Sequence, residues 1–227
     1  MSWAQMVRRG WRALLDLLYP PQCCTCGAFV GSWWCERCRA QVAWLAPNEV
    51  EHVLALPSGA ALPIYSAVRY RAPLAEAIHA FKYKATPQLA ELFAALMARA
   101  WHISHAETLP FVLVPVPLHP RRQRERGYNQ SELLAKALSA SLGFAVARQA
   151  LRRTRHTAQQ AQLADDAQRQ ANVQGAFAAN PRAVYAKPIL LVDDVYTTGA
   201  TLSACAEALL AAGASQVAAL TLARARN

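Results

Sequence analysis

Lysine is scarce in this 227-residue chain. Lys82, Lys84, Lys136 and Lys187 are its full complement, so nearly all of the 24 cationic side chains are arginines. Arginine's planar fork suits phosphate oxygens, although a GC-rich genome produces the same bias. Acidic residues are few as well, 14 in number, and the formal net charge is +10. That balance favours polyanionic partners such as nucleic acid or phosphorylated metabolites, while composition alone leaves a merely basic protein open. Only nine glycines accompany a hydrophobic content of 54%, which excludes a disordered tail and suits a compact protein with a sizeable core. No apolar run reaches the roughly 18 residues of a membrane-spanning helix, so no membrane insertion is expected. The opening "MSWAQMVRRGWRALLDLLYPPQCC" has arginines before a short apolar stretch, but Asp16 interrupts it and no small-residue cleavage site follows. Trp3, Met6, Val7, Trp11, Leu14, Leu15 and Leu18 recur at helical spacing, which predicts an amphipathic helix over 1–20 and a cytoplasmic chain.

The cysteines are unevenly spread: all but Cys205 fall in "CCTCGAFVGSWWCERC", residues 23–38. Cys23-x2-Cys26 and Cys35-x2-Cys38 make two hooks, each able to turn two thiolates onto one ion. Together they offer a tetrahedral four-sulfur set, which Zn2+ accepts, and with the sphere filled the site is structural, not catalytic. Gly27 follows the first hook, where a tight turn favours positive φ. Disulfides are the alternative, disfavoured in a reducing compartment. Cys24 is a spare thiol that offers a substitute ligand, and Cys205, alone on an expected helix, reads as a small core residue. Trp33 and Trp34 stand between the hooks, either as the module's miniature core or as a stacking surface.

Beyond the hooks, Pro47 and "LPSGAALP" (56–63) read as a linker or irregular lead into a second domain. The expected organisation is a helix over 1–20, a zinc module over 21–50 and one α/β domain over 51–227. Strands are expected at 64–70, 111–117, 188–195 and in "SQVAALTLARA" (215–225). Helices are expected in "PLAEAIHAFKY", "QLAELFAALMARAW", 131–142 and 201–212, the last closed by Gly213. Alternating strands and helices predict a mainly parallel sheet, and "PILLVDDV" is apolar enough to be buried on both faces.

In such sheets ligands bind at the carboxyl ends of strands. "LLVDDVYTTGAT" (190–201) places Asp193 and Asp194 there, followed by a hydroxyl-rich turn opening a helix whose first N–H groups are unpaired. The turn lacks the lysine of a nucleotide P-loop and the glycine spacing of a dinucleotide fingerprint. It suits a monophosphate, with the carboxylates accepting from nearby hydroxyls, and a ribose 5-phosphate meets both requirements.

The stretch "LLVDDVYTTGATL" resembles the phosphoribosyl pyrophosphate (PRPP) signature of type I phosphoribosyltransferases. That resemblance implies the family's parallel sheet flanked by helices, with Asp193 and Asp194 on the ribose hydroxyls as the catalytic acids. It implies that Thr197, Thr198, Gly199, Ala200 and Thr201 cradle the 5-phosphate, and that Mg2+ arrives with PRPP. A second stretch, "VPVPLHPRRQRERGYNQSELLAKAL" (114–138), reads as a polar, arginine-crowded loop before a helix. Zinc hooks, this loop, a polar segment over 152–177 and the PRPP signature, in that order, resemble the ComF family along essentially the whole chain. The 117–129 loop then corresponds to a pyrophosphate loop, with Arg126, Gly127, Tyr128 and Asn129 as contacts. Residues 152–177 correspond to a hood carrying Arg152, Arg153, Arg155 and Gln159. Lys82 and Lys84 fall where the family has a basic patch, or are simply solvated at a helix end.

Two functions follow from the resemblance. One is an enzyme transferring phosphoribose from PRPP and releasing pyrophosphate. The other is a non-catalytic PRPP-sensing or single-stranded-DNA-binding module, associated with DNA uptake, natural competence and the proteins of that machinery. Single-strand binders combine basic grooves with stacking aromatics, for which Tyr128, Trp33 and Trp34 are candidates.

Overall fold

In the computed structural model of the chain, residues 21–104, 110–155, 173 and 175–225 are described. The amphipathic helix expected over 1–20 lies outside them. The described residues form two compact units: one gathers those up to Val42 with Arg71–Leu89, the other Ala43–Tyr70 with those from Ala90 onward.

The first unit holds the cysteine hooks, helix α1 (Glu36–Ala40) and helix α3 (Leu74–Tyr83). The amphipathic spacing of α3 puts Leu74, Ala77, Ile78 and Phe81 on its buried side, each at most 1% exposed. Lys84 caps its carboxyl end, where a cation complements the helix dipole.

The second unit is built on a five-stranded sheet of β1 (Glu51–Ala55), β2 (Ala61–Arg69), β3 (Val112–Pro115), β6 (Pro188–Tyr196) and β7 (Gln216–Arg224), in the order β1-β2-β7-β6-β3. β2, β7, β6 and β3 run parallel, and β1 is an antiparallel edge strand. The parallel α/β sheet foreseen from the sequence is present. Ile189, Leu190, Leu191 and Val192 are all fully buried, as a strand covered on both faces requires. Ile189 and Leu191 join Ile64, Val114, Leu202, Cys205, Leu209 and Ala219 in one core cluster, so Cys205 is the small core residue its sequence position suggested.

Helices α2 (Pro47–Val50), α4 (Leu89–Ser104), α5 (Pro120–Arg126), α6 (Gln130–Leu142), α7 (Pro181–Val184) and α8 (Ala200–Ala211) connect the strands. α6 packs on β3 and β6, and α8 packs on β7. The end of α4 is held by Trp101, whose ring meets Tyr65, Phe111 and Phe144 edge-on at centroid distances of 5.4, 5.5 and 6.1 Å. A second, two-stranded antiparallel sheet joins β4 (Leu151–Arg153) to β5 (Phe177–Ala179).

Two expectations are corrected. Residues 56–63 are no linker: the Leu56 N–H donates to the Ala60 carbonyl at 2.8 Å, closing a hairpin turn between β1 and β2. β2 begins inside that stretch at Ala61, and Leu62 is fully buried. Proline and glycine announce a turn there, but only the pairing of β1 with β2 distinguishes a hairpin from a tether. The polar loop after β3 is likewise mostly helix. α5 starts with Pro120 at its first position, His119 Nδ1 accepts from the Arg121 N–H at 3.2 Å, and Gly127 ends it at φ 80°.

Candidate functional site

The two hooks converge. The sulfurs of Cys23, Cys26, Cys35 and Cys38 all lie within 4.8 Å of one another, and those of Cys26 and Cys35 are 3.7 Å apart. A tetrahedron with Zn–S bonds of about 2.3 Å spaces its sulfurs about 3.8 Å apart, so the donor set fits a zinc ion. Local folding explains the convergence. The Gly27 N–H donates to the Cys23 carbonyl at 2.9 Å and Gly27 takes φ 73°, wrapping the first hook. Cys35 is the N-cap of α1, and one turn of helix brings Cys38 beside it.

Burial opposes ionisation of the Cys23 thiol, but nearby backbone N–H groups outweigh it and bring the pKa to about 6. Burial raises the pKa of Cys38, and the three neighbouring thiols raise it further. Cys24 lies outside the set, with its sulfur 3.8 Å from the Thr25 hydroxyl. Trp34 is fully buried and Trp33 half-buried, whereas Phe29, between the hooks, is 66% exposed.

In the second unit, Asp193 and Asp194 lie in β6 near its carboxyl end, and neighbouring strand residues point to opposite faces. Asp193 lines a concavity together with Val195, Tyr196, Thr197, Gly199, Thr201 and Leu202. Asp194 is 7% exposed and is not part of that lining. Gly199, at φ 80°, is the N-cap of α8, and the Ala200 N–H donates to the Thr198 hydroxyl at 3.4 Å. The helix therefore opens one residue earlier than expected, with its amino-terminal dipole at the concavity. The backbone of Gly199 is approached closely: a Cβ there would meet Leu54 Cδ2 at 2.6 Å and Tyr196 Cε2 at 3.0 Å. The ring of His52 in turn lies 5.5 Å from that of Tyr196.

Arg126 and Gly127 close α5, and Tyr128 and Asn129 lead into α6. Asn129 is buried and doubly engaged: its Oδ1 accepts from the Ser131 N–H at 3.1 Å, and its Nδ2 donates to the Val116 carbonyl at 3.0 Å. Arg126 Nη1 donates to Gln130 Oε1 at 3.1 Å. The Ser131 hydroxyl donates to Asp193 Oδ1 at 2.9 Å, joining the α5–α6 segment to the acid strand.

Of the expected hood, Arg152 is exposed on β4, Arg155 is exposed beyond it, and Gln159 lies outside the described residues. Arg153 is half-buried, with its guanidinium over the Phe177 ring at 5.4 Å from the centroid. Burial lowers its pKa, the positive charge of Arg122 lowers it further, and Cys205 and Asp193 oppose the shift. The residues missing from the sequence reading are Ser131, Leu54 and Tyr196. Tyr196 stands inside the 190–201 stretch, where the sequence reading gives it no role. Ser131 and Leu54 carry only faint signals, a serine in the first turn of a helix and an apolar residue on an edge strand, because tertiary pairing alone brings them to the site.

A parallel sheet with acids at a strand's carboxyl end, followed by a threonine-rich turn into a helix, defines a phosphoribosyltransferase-like fold. Residues 126–227 match the family model described as the phosphoribosyl transferase domain. The chain is 31% identical over 197 residues to competence protein F of Haemophilus influenzae, covering 85% of each chain. It is 36% identical over 151 residues to the DNA utilization protein YhgH of Salmonella typhi, covering 65% of this chain and 66%, just under two thirds, of that one. It is 29% identical over 160 residues to competence protein ComFC of Bacillus subtilis, covering 70% of this chain and 63% of that one. The chain belongs to the ComF family.

Proposed function

We propose that the chain binds PRPP with Mg2+ and transfers the phosphoribosyl group to a nitrogen nucleophile. The C1–O bond to pyrophosphate breaks, pyrophosphate departs with the bonding electrons, and the acceptor nitrogen bonds to C1. One observation carries the reading: Asp193, Thr197, Gly199 and Thr201 line a single concavity at the carboxyl end of β6. The backbone N–H groups and hydroxyls of 197–201, at the start of α8, hold the 5-phosphate. Asp193, which lines the concavity, accepts from the ribose hydroxyls directly, Asp194 joins it once its buried side chain turns toward the ligand, and their charge stabilises an oxocarbenium-like transition state. Arg126, Gly127, Tyr128 and Asn129 form the loop beside the pyrophosphate. Magnesium, held on PRPP with most of its water, supplies charge neutralisation on the leaving group.

The hooks hold a structural Zn2+ through Cys23, Cys26, Cys35 and Cys38. Reduced cysteines of this kind support a cytoplasmic placement, and among the described residues no helix is long and apolar enough to cross a membrane.

A second reading is favoured by one observation: Phe29 is exposed between the hooks of a chain with net charge +10. It makes the chain a single-stranded-DNA-binding module of DNA uptake that holds PRPP without turnover, alongside competence-machinery proteins. The names of the relatives, competence and DNA utilization proteins, agree with it. Pyrophosphate release from PRPP across a panel of nucleobases and amines separates the two readings. Release with one acceptor class, abolished by Asp193→Asn with Asp194→Asn, is the enzyme's signature. PRPP binding with no release for any acceptor, together with single-stranded-DNA binding, favours the module.

A further inference from the structure

Three consecutive side chains at the start of α6 each reach a different part of the site. Asn129 ties the segment to the end of β3 through the Val116 carbonyl and caps the helix. Gln130, 2% exposed, accepts from Arg126 Nη1 and so anchors the arginine that ends α5. Ser131, 3% exposed, donates its hydroxyl to Asp193 Oδ1.

Asp193 Oδ1 also accepts from the Asp194 N–H at 2.9 Å. That bond is local to β6. The Ser131 bond comes from another element, 62 residues away in sequence, and adds a restraint on the carboxylate from outside the strand. Burial of Ser131 keeps water from replacing its hydroxyl as the donor, and the capped helix holds the hydroxyl in place.

We infer that Ser131 is a positioning residue: it sets the orientation of the Asp193 carboxylate toward the concavity and couples the α5–α6 segment to the acid strand. The consequence for ligand affinity rests on the PRPP reading above; the orientation of Asp193 does not. Anything that displaces the first turn of α6, such as movement of Arg126 on meeting an anion, is transmitted to the carboxylate through two adjacent residues. In this arrangement Gln130 and Ser131 act through the residues they hold, Arg126 and Asp193.

The test compares full-length wild type, Ser131→Ala and Ser131→Thr, each loaded with zinc. Ligand-free crystal structures report the Asp193 rotamer, and calorimetry with PRPP and Mg2+ reports affinity. In Ser131→Ala the carboxylate leaves its wild-type position and PRPP affinity falls about tenfold, the size expected when a side chain must be ordered on binding. Ser131→Thr keeps the hydroxyl and restores both, which a purely structural role of the residue would not produce. Should the alanine chain not fold, Ser131→Cys, similar in size but a much weaker donor, carries the same expectation. An unmoved Asp193 in the alanine or cysteine chain overturns the inference, as does wild-type affinity in a wild type that binds PRPP. A wild type that does not bind PRPP, with Asp193 displaced in the variant, upholds the positioning role and removes the ligand reading instead.

Discussion

At the residue scale, the site depends on positions where one atom more or less decides the outcome. Gly199 is one: its φ of 80° is left-handed, and Leu54 and Tyr196 fill the space a side chain would need. Gly199→Ala is expected to lower stability by about 1–2 kcal/mol, mostly from the backbone conformation because the Leu54 methyl can shift. Chemical denaturation measures it, and Leu54→Ala in the same chain should recover only the part due to the clash. Asn129 is another. Its replacement by alanine removes the α6 cap and leaves the buried Val116 carbonyl without that donor, a loss of about 1–2 kcal/mol readable in the same denaturation series. The acids were legible in the sequence because adjacent aspartates after "PILLV" conflict with a buried strand unless something binds them. Ser131 was not, because a serine in a helix's first turn is commonplace until the fold sets Asp193 2.9 Å away.

At the scale of elements, the long apolar strands and their helices stand close to where periodicity put them. β6 runs over Pro188–Tyr196 against an expected 188–195, and α6 over Gln130–Leu142 against 131–142. The elements that escaped detection are those without a core-facing pattern. β1 is an exposed edge strand, and α5 is arginine-rich with no buried residue, held by its two caps and an Arg121–Glu125 pair at 3.1 Å. β4 and β5 are three residues each, and only their mutual pairing defines them. The cysteine element behaves differently, since two C-x2-C hooks at this spacing predict their own convergence. Cys35→Ser is expected to lose the bound zinc and loosen the residues around the hooks, because the metal's binding energy is folding energy in so small an element. Metal content by mass spectrometry and protease sensitivity of the amino-terminal region check it. A chain that contains no zinc when made under reducing, metal-replete conditions contradicts the assignment.

At the scale of the whole molecule, the surplus of arginine and lysine over acidic residues gives a net charge of +10, whose expected consequence is a salt-dependent affinity for polyanions. If single-stranded DNA is a partner, its affinity should fall steeply with salt, as counterion release demands, and Phe29→Ala should weaken binding without altering the salt slope. Fluorescence anisotropy across a salt series measures both; a flat salt dependence removes the nucleic-acid reading. The central claim is narrower: the turn from Thr197 to Thr201 and the acids before it hold PRPP. The most direct test is a calorimetric titration of the zinc-loaded chain with PRPP in Mg2+, beside the chain carrying Asp193→Asn and Asp194→Asn. The account predicts saturable binding in the first and none in the second with zinc content unchanged. Equal binding by both chains, or no heat from the wild type, contradicts it.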